Sequence, residues 1–202
     1  MGIGTQYAQK EFDQTIASVG RKSNNKRRKT MLPKIKKILY ATDLSPNSKY
    51  AFGYAINSAI QHDAKIVILH VLEPVAAAVR AQMESYLDDD RIKKIFDEKI
   101  NYTIELIEKR LKKFCEEELA DNPKAADRVG SIEVCEGFAP DEILEKANKL
   151  DCDAIVMGTH GKGIIANTFL GSTAKRVLRR ARKPIFVIPL PKAEVDRFIS
   201  EV

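Results

Sequence analysis

No stretch of about 18 apolar residues occurs anywhere in this 202-residue chain, so none of it reads as a membrane span. Cysteine is scarce. Cys115, Cys135 and Cys152 are odd in number and lack the paired spacing of a metal site. They read as core or surface thiols in a reducing cytoplasm, and nothing in the sequence supports a redox role. A G-x4-G-K-[S/T] Walker loop is absent, and so is G-x-G-x-x-G, because Ile164, Ile165 and Ala166 follow Gly161-Lys162-Gly163. No two acids are spaced as a metal pair, so a dedicated hydrolase has no visible means of placing a water. There is no internal repeat and no low-complexity block. The N-terminal charges are not followed by the apolar stretch of a signal peptide. Gln6 stands where N-myristoylation wants Ser or Thr.

Charge is present but uneven. The formal net charge is +6, yet residues 1–37 hold ten Lys or Arg against only Glu11 and Asp13. The rest carries 24 basic against 26 acidic residues, so the basicity belongs to an arm and not to a fold. Residues 1–31 show little apolar periodicity and end in a run around Lys26-Arg27-Arg28-Lys29, the pattern of a disordered basic arm. Such a run touches RNA or anionic lipid, or is a solvated tail, or precedes a true start at Met31. A folded nucleic-acid surface needs its basic groups on one face, and the composition suggests none, so nucleic acid is expected only through the arm.

The remaining apolar content, within a hydrophobic share of 44%, supports one sizeable core. Residues 35–43 read as a strand and its exit. Ser45-Pro46 then opens a helix, with serine as N-cap and proline in the first turn. Its apolar stripe is Phe52, Ala55, Ile56, Ala59 and Ile60. Residues 65–71 are a β-branched second strand, and this β-α-β spacing implies a right-handed crossover in a parallel sheet. Residues 73–87 read as either loop or short helix. From about 88 to 120 apolar residues recur at helical steps, from Ile92 to Phe114, with Glu105–Lys109 and Glu108–Lys112 as i,i+4 pairs. That helix would run roughly 45 Å, as a crossover with overhang or a partner-binding surface. Asn122-Pro123 ends it. Residues 129–135 form a third strand. Pro140 with Asp141 and Glu142 starts a helix whose Ile143, Leu144, Ala147 and Leu150 face the sheet.

Residues 153–188 then read as strand, glycine loop, helix, strand. Asp153 to Met157 is a buried parallel strand. Gly158, Gly161 and Gly163 interrupt it. Gly171-Ser172-Thr173 opens a helix carrying Val177 and Leu178, which ends at Arg182-Lys183-Pro184. Residues 185–188 are the last strand, followed by a tail. Glycine lets the main chain approach an anion closely and adopt positive φ. A helix start with free N–H groups favours phosphate, and Ser172 and Thr173 add hydroxyls there.

The spacing Gly158-x2-Gly161-x9-Gly171-Ser172 resembles the G-x2-G-x9-G-[S/T] signature of the ATP-binding subgroup of universal stress proteins. The resemblance covers about residues 33–190. It implies an α/β fold, a Rossmann-like doubly wound five-stranded parallel sheet of order 3-2-1-4-5 with helices on both faces. The expected division is an arm at 1–31, a nucleotide-binding domain at 32–190 and a tail at 191–202. In such a sheet strands 1 and 4 meet at the switch point, where ligands sit. The resemblance implies that Asp43 meets the adenosine and that the backbone at Ala41 and Val71 contacts adenine and ribose. Thr42 and Met157 flank them at the ends of strands 1 and 4. Gly158, Thr159, His160, Gly161 and Lys162, with Gly171, Ser172 and Thr173, would hold the phosphates. ATP would arrive with Mg²⁺. A homodimer joined near the last strand is implied too, and an apolar edge strand invites pairing. No catalytic residue and no protein metal site is assigned.

Alternatives stay open at this point. Asp43 also suits a helix-entry role before Ser45, and Lys162 a solvated one. His160 reads more simply as a locally bonded ring than as a catalyst, and His70 as structural. Against a nucleotide-dependent regulator stand a slow ATPase or nucleotidyl-transfer enzyme using His160 or Asp43, and a scaffold binding a transporter or RNA through arm and long helix.

Overall fold

The computed structural model describes residues 33–76, 79, 81–82, 89–161, 170–189 and 191, apart from the side chains of Pro46, Asp89 and Ile92. The chain divides into residues 1–33 and residues 34–202, and the fold described is that of the second unit. The expectations for the arm, for Lys162 and Gly163, and for the tail beyond Pro191 fall outside the described residues.

Five strands form one sheet: β1 (Lys37–Ala41), β2 (Lys65–Leu72), β3 (Val129–Glu136), β4 (Ala154–Gly158) and β5 (Ile185–Ile188). Their order is β3-β2-β1-β4-β5, and every pairing is parallel. β1 lies at the centre, with Ala41 opposite Leu69 on one side and Met157 on the other. Strand residues alternate between the two faces, and each face is buried under helices. Ile38, Tyr40, Ile66, Ile68 and Val156 pack against α1 (Pro46–His62), α2 (Asp89–Leu119) and the short α3 (Pro123–Ala126). Leu39, Val67, Leu69, Ile155 and Met157 pack against α4 (Ala139–Lys149) and α5 (Ser172–Arg180). Burial on both faces is why β1, β2 and β4 read as near-continuous apolar runs.

The helix starts follow from their caps. Ser45 caps α1, its hydroxyl accepting from the Ser48 N–H, with proline in the first turn. α4 begins after Phe138 with proline in its first turn and Asp141 and Glu142 beside it. Of the open stretch before α2, residues 73–76 lie outside regular structure and Val79, Ala81 and Gln82 are helical.

Two expectations change. Ile60 is 37% exposed, because it lies at the rim of the α1 stripe, well round from Ala55 and Ala59. Among the described residues of α2 the i,i+4 ion pairs are Lys94–Glu98 and Lys113–Glu117, not Glu105–Lys109 and Glu108–Lys112. Each such exposed pair contributes only about 0.2–0.5 kcal/mol, too little to select among long flexible side chains. The second half of α2 packs through Ile107, Leu111 and Phe114, and Lys49–Glu118 ties it to α1 at 2.6 Å.

The Phe52 ring is 2% exposed and lies between Tyr40 and Phe114, with centroids 5.3 and 5.0 Å away. Phe52→Ala should therefore lower stability by about 3–5 kcal/mol in urea denaturation. A loss under about 1 kcal/mol would mean this ring contact does not organise the α1–α2 face.

Candidate functional site

The carboxyl ends of β1 and β4 lie side by side at the centre of the sheet, where the strand order reverses. A hydrogen-bonded network fixes the β1 exit. Thr42 N–H donates to the Leu69 carbonyl at 2.9 Å. The Thr42 hydroxyl donates to Ser48 Oγ at 2.9 Å and accepts from Leu44 N–H at 3.1 Å. His70 Nδ1 lies 2.8 Å from the Thr42 carbonyl, which can only accept, so the proton sits on Nδ1. The buried Tyr40 hydroxyl donates to the Ser48 carbonyl, and burial holds its pKa far above the ordinary tyrosine value. His70 is thus a structural residue of the β1 exit.

Asp43 follows. Its Oδ1 accepts from Ser45 N–H at 3.0 Å and from the Ser45 hydroxyl at 2.6 Å, so the helix-entry role is real. Leu44 between them has φ +61°, a left-handed conformation that a bulky residue rarely adopts. Asp43 Oδ2 points the other way, to Gly161. A Cβ placed on Gly161 would lie 2.5 Å from it.

Gly171 and Gly158 are enclosed less tightly. A Cβ on Gly171 would meet the Thr159 carbonyl at 3.1 Å, and one on Gly158 the His160 carbonyl at 3.3 Å. Gly171 N–H donates to that Thr159 carbonyl at 2.8 Å, which ties the start of α5 to the exit of β4. None of the three has positive φ. The expected use of glycine for left-handed turns is corrected here: these positions need glycine for close approach.

The structure thus brings Thr42, Asp43, Gly158, Thr159, His160, Gly161 and Gly171 together. His160 Nδ1 is 3.1 Å from the Thr159 hydroxyl. Ser172 and Thr173 form the first turn of α5, whose N-cap, Gly171, has no side chain to offer the turn's amides. Ala41 and Met157 are buried core residues, so they can offer a ligand only main chain. Val71 is half-buried near the end of β2, two residues beyond the Leu69 that pairs with Ala41.

Sequence reasoning missed Asn47. It is 5% exposed, its carbonyl lies near Gly158, and its side-chain Oδ1 is buried without a hydrogen-bond partner among the described residues. An asparagine in a first helical turn carries no sequence signal for this. Two cavities open elsewhere. One of about 660 Å³ lies between α1 and the end of α2, beside Tyr50, Tyr54 and Asn57. The other, about 430 Å³, lies by Asn148, Arg180 and Arg182. Neither is lined by Gly158, Gly161 or Gly171.

Among the described residues no three His, Cys, Asp or Glu side chains gather to hold a metal. Burial pushes the Cys115 and Cys135 thiols up to about 11 and raises Cys152 as well, so all three stay protonated near neutral pH. No described helix is long and apolar enough to cross a membrane.

A model of the universal stress protein family matches residues 34–189. A universal stress protein of Methanocaldococcus jannaschii is 35% identical over 162 residues, covering 79% of this chain and 85% of its own. One from Thermus aquaticus is 29% identical over 153 residues, covering 76% and 98%. Among solved structures, universal stress protein UspA from Lactobacillus plantarum superposes with a TM-score of 0.56 at 21% identity, over 78% of this chain and 99% of its own.

The Gly161–Asp43 contact makes a double-mutant cycle informative. Gly161→Ala should cost about 1–3 kcal/mol of stability through overpacking. In an Asp43→Ala background the cost should shrink by roughly 1 kcal/mol or more, since the obstructing carboxylate is gone. Purely additive denaturation midpoints would show that the two residues do not meet.

Proposed function

The chain belongs to the universal stress protein family, and from that premise we propose that it is an ATP-binding regulatory protein, acting through whether its nucleotide site is filled. The observation that carries this reading is the Asp43–Gly161 approach at the switch point, beside an α5 start with no capping side chain. Side chains are stripped from the places where a ligand would lie against main chain. The first-turn amides of α5 supply N–H groups with the helix dipole behind them, which suits phosphate. The orphaned Asn47 Oδ1 is an acceptor still lacking a donor in this region.

These residues fit a nucleoside phosphate. Asp43 would accept from ribose hydroxyls or the exocyclic amine through the oxygen that Ser45 leaves open, and the main chain of Ala41 and Val71 would meet the base and ribose. Residues 158–162 and 171–173 would surround the phosphates, with Thr42 and Met157 closing the floor between the strands. Mg²⁺ would come with the phosphates, since it needs few protein ligands and keeps several waters. What it supplies when bound is charge neutralisation between phosphate oxygens. The chain's own residues bind and orient the nucleotide, and hydrolysis is slow or partner-dependent.

The same reading sets the protein in the cytoplasm as a homodimer, with residues 32–190 as the nucleotide-binding domain between a basic arm and a short tail. β5 is an edge strand with Phe186 37% exposed, which supports pairing there. Sedimentation equilibrium should find a dimer at micromolar concentration and a monomer for Phe186→Lys. A wild-type monomer would remove the dimer.

Titration calorimetry should detect ATP binding, and Gly171→Val should weaken it by roughly a hundredfold or more, with the circular dichroism spectrum unchanged. Gly161→Val serves as the second variant. Full affinity in both would mean that the nucleotide lies elsewhere.

A further inference from the structure

The sheet has a second rim, and α4 and α5 leave a cleft there. It encloses about 430 Å³, the size of a small-molecule site. Ile155, the second residue of β4, lines it, as do Arg182 and Lys183 from the turn between α5 and β5. Every pairing in the sheet is parallel, so these strand starts share one rim, at the opposite end from Gly158. Ala147 and Ile155 are each 1% exposed and form an apolar floor. Asn148, Arg180 and Arg182 are exposed around it.

The charge of this cleft is one-sided. No described acid lines it. Asp141 balances Arg180. Glu145 pairs with Lys149, and Asp153 Oδ2 accepts from the main-chain N–H groups of Lys36 and Lys37. Lys183 donates to the Cys152 carbonyl, a neutral partner, so its charge and two further N–H groups remain. Arg182 has no ion pair among the described residues. The carbonyl ends of α4 and α5 reach this rim and account for Arg180 as a last-turn cation. They do not account for the two cations beyond it. Each helix end carries about half a negative charge, against the full charges of Arg182 and Lys183, which leaves about one positive charge over the apolar floor.

That balance selects a ligand class. A polyphosphate brings more charge than the cleft offsets and makes no use of the floor. A neutral apolar molecule leaves the cations unmatched. We propose that the cleft binds an amphipathic monocarboxylate. Its carboxylate lies on the Arg182 fork, with Lys183 and Asn148 beside it, and its apolar body covers Ala147 and Ile155. A guanidinium takes a carboxylate through two parallel N–H bonds, which an ammonium cannot do. This site stands apart from the nucleotide reading, since the two lie at opposite rims.

Octanoate is the probe, with acetate (the charge without the body) and 1-octanol (the body without the charge) beside it. Titration calorimetry on the full chain, at one ionic strength, should find octanoate bound at least about tenfold more tightly than either. Arg182 is exposed, so Arg182→Gln leaves the fold intact, which circular dichroism checks. That variant should weaken octanoate about tenfold or more. Arg182→Lys should lose less, since it keeps the charge without the fork. Octanoate should shift the amide resonances of residues 147–148, 155 and 180–183, and saturating ATP should leave its affinity unchanged. Acetate or octanol binding as tightly, full octanoate affinity in Arg182→Gln, or displacement by ATP each overturns the assignment. So does the absence of octanoate binding up to about 10 mM.

Discussion

The carboxylate of Asp43 is held by Ser45 through one oxygen, and its other oxygen lies so near Gly161 that a Cβ there would come within 2.5 Å of it. That close approach is the constraint on which the candidate site depends. It joins the exit of the central strand to the loop after its neighbour, and it works only because position 161 has no side chain. Gly171 repeats the device one step away, where its N–H holds the Thr159 carbonyl and its missing Cβ lets the α5 start approach. The glycines thus act first within the protein. They let two strand exits and a helix start approach one another closely.

The rest of the fold holds that point still. β1 is buried on both faces and paired on both sides, so its end is as rigid as any part of the molecule. Tyr40, Thr42, Ser48 and His70 link it to the first turn of α1 and to β2. A satisfied buried network of this kind specifies one geometry, because any alternative leaves polar groups unpaired away from water. The left-handed Leu44 is the local cost of turning from strand into helix within that network.

Much of this was legible in the sequence for identifiable reasons. Ser45-Pro46 announced the start of α1 because a cap and a first-turn proline are local chemistry. The β-branched run after Lys65 announced β2 because burial on both faces demands it. The glycine spacing marked positions that the structure brings close together, because Gly158, Gly161 and Gly171 each answer a steric need. Other features depend on tertiary contact and leave no local trace. The orphaned Asn47 Oδ1 arises from what α1 packs against. The cleft edged by Arg182 and Lys183 joins residues far apart in the chain through the packing of α4 on α5. Positive φ was a fair expectation for loop glycines, yet it was met by Leu44 and not by Gly158, Gly161 or Gly171. Glycine has two uses, and sequence alone does not separate them.

The most direct measurement is amide hydrogen exchange on the full chain with and without saturating ATP. Protection should appear at residues 158–161 and 171–174, at the two places where bare main chain converges, and spare the far end of the sheet. Protection confined to the α1–α2 cavity around Tyr50 and Asn57, or none at all, would contradict a nucleotide held by the glycine-lined strand exits.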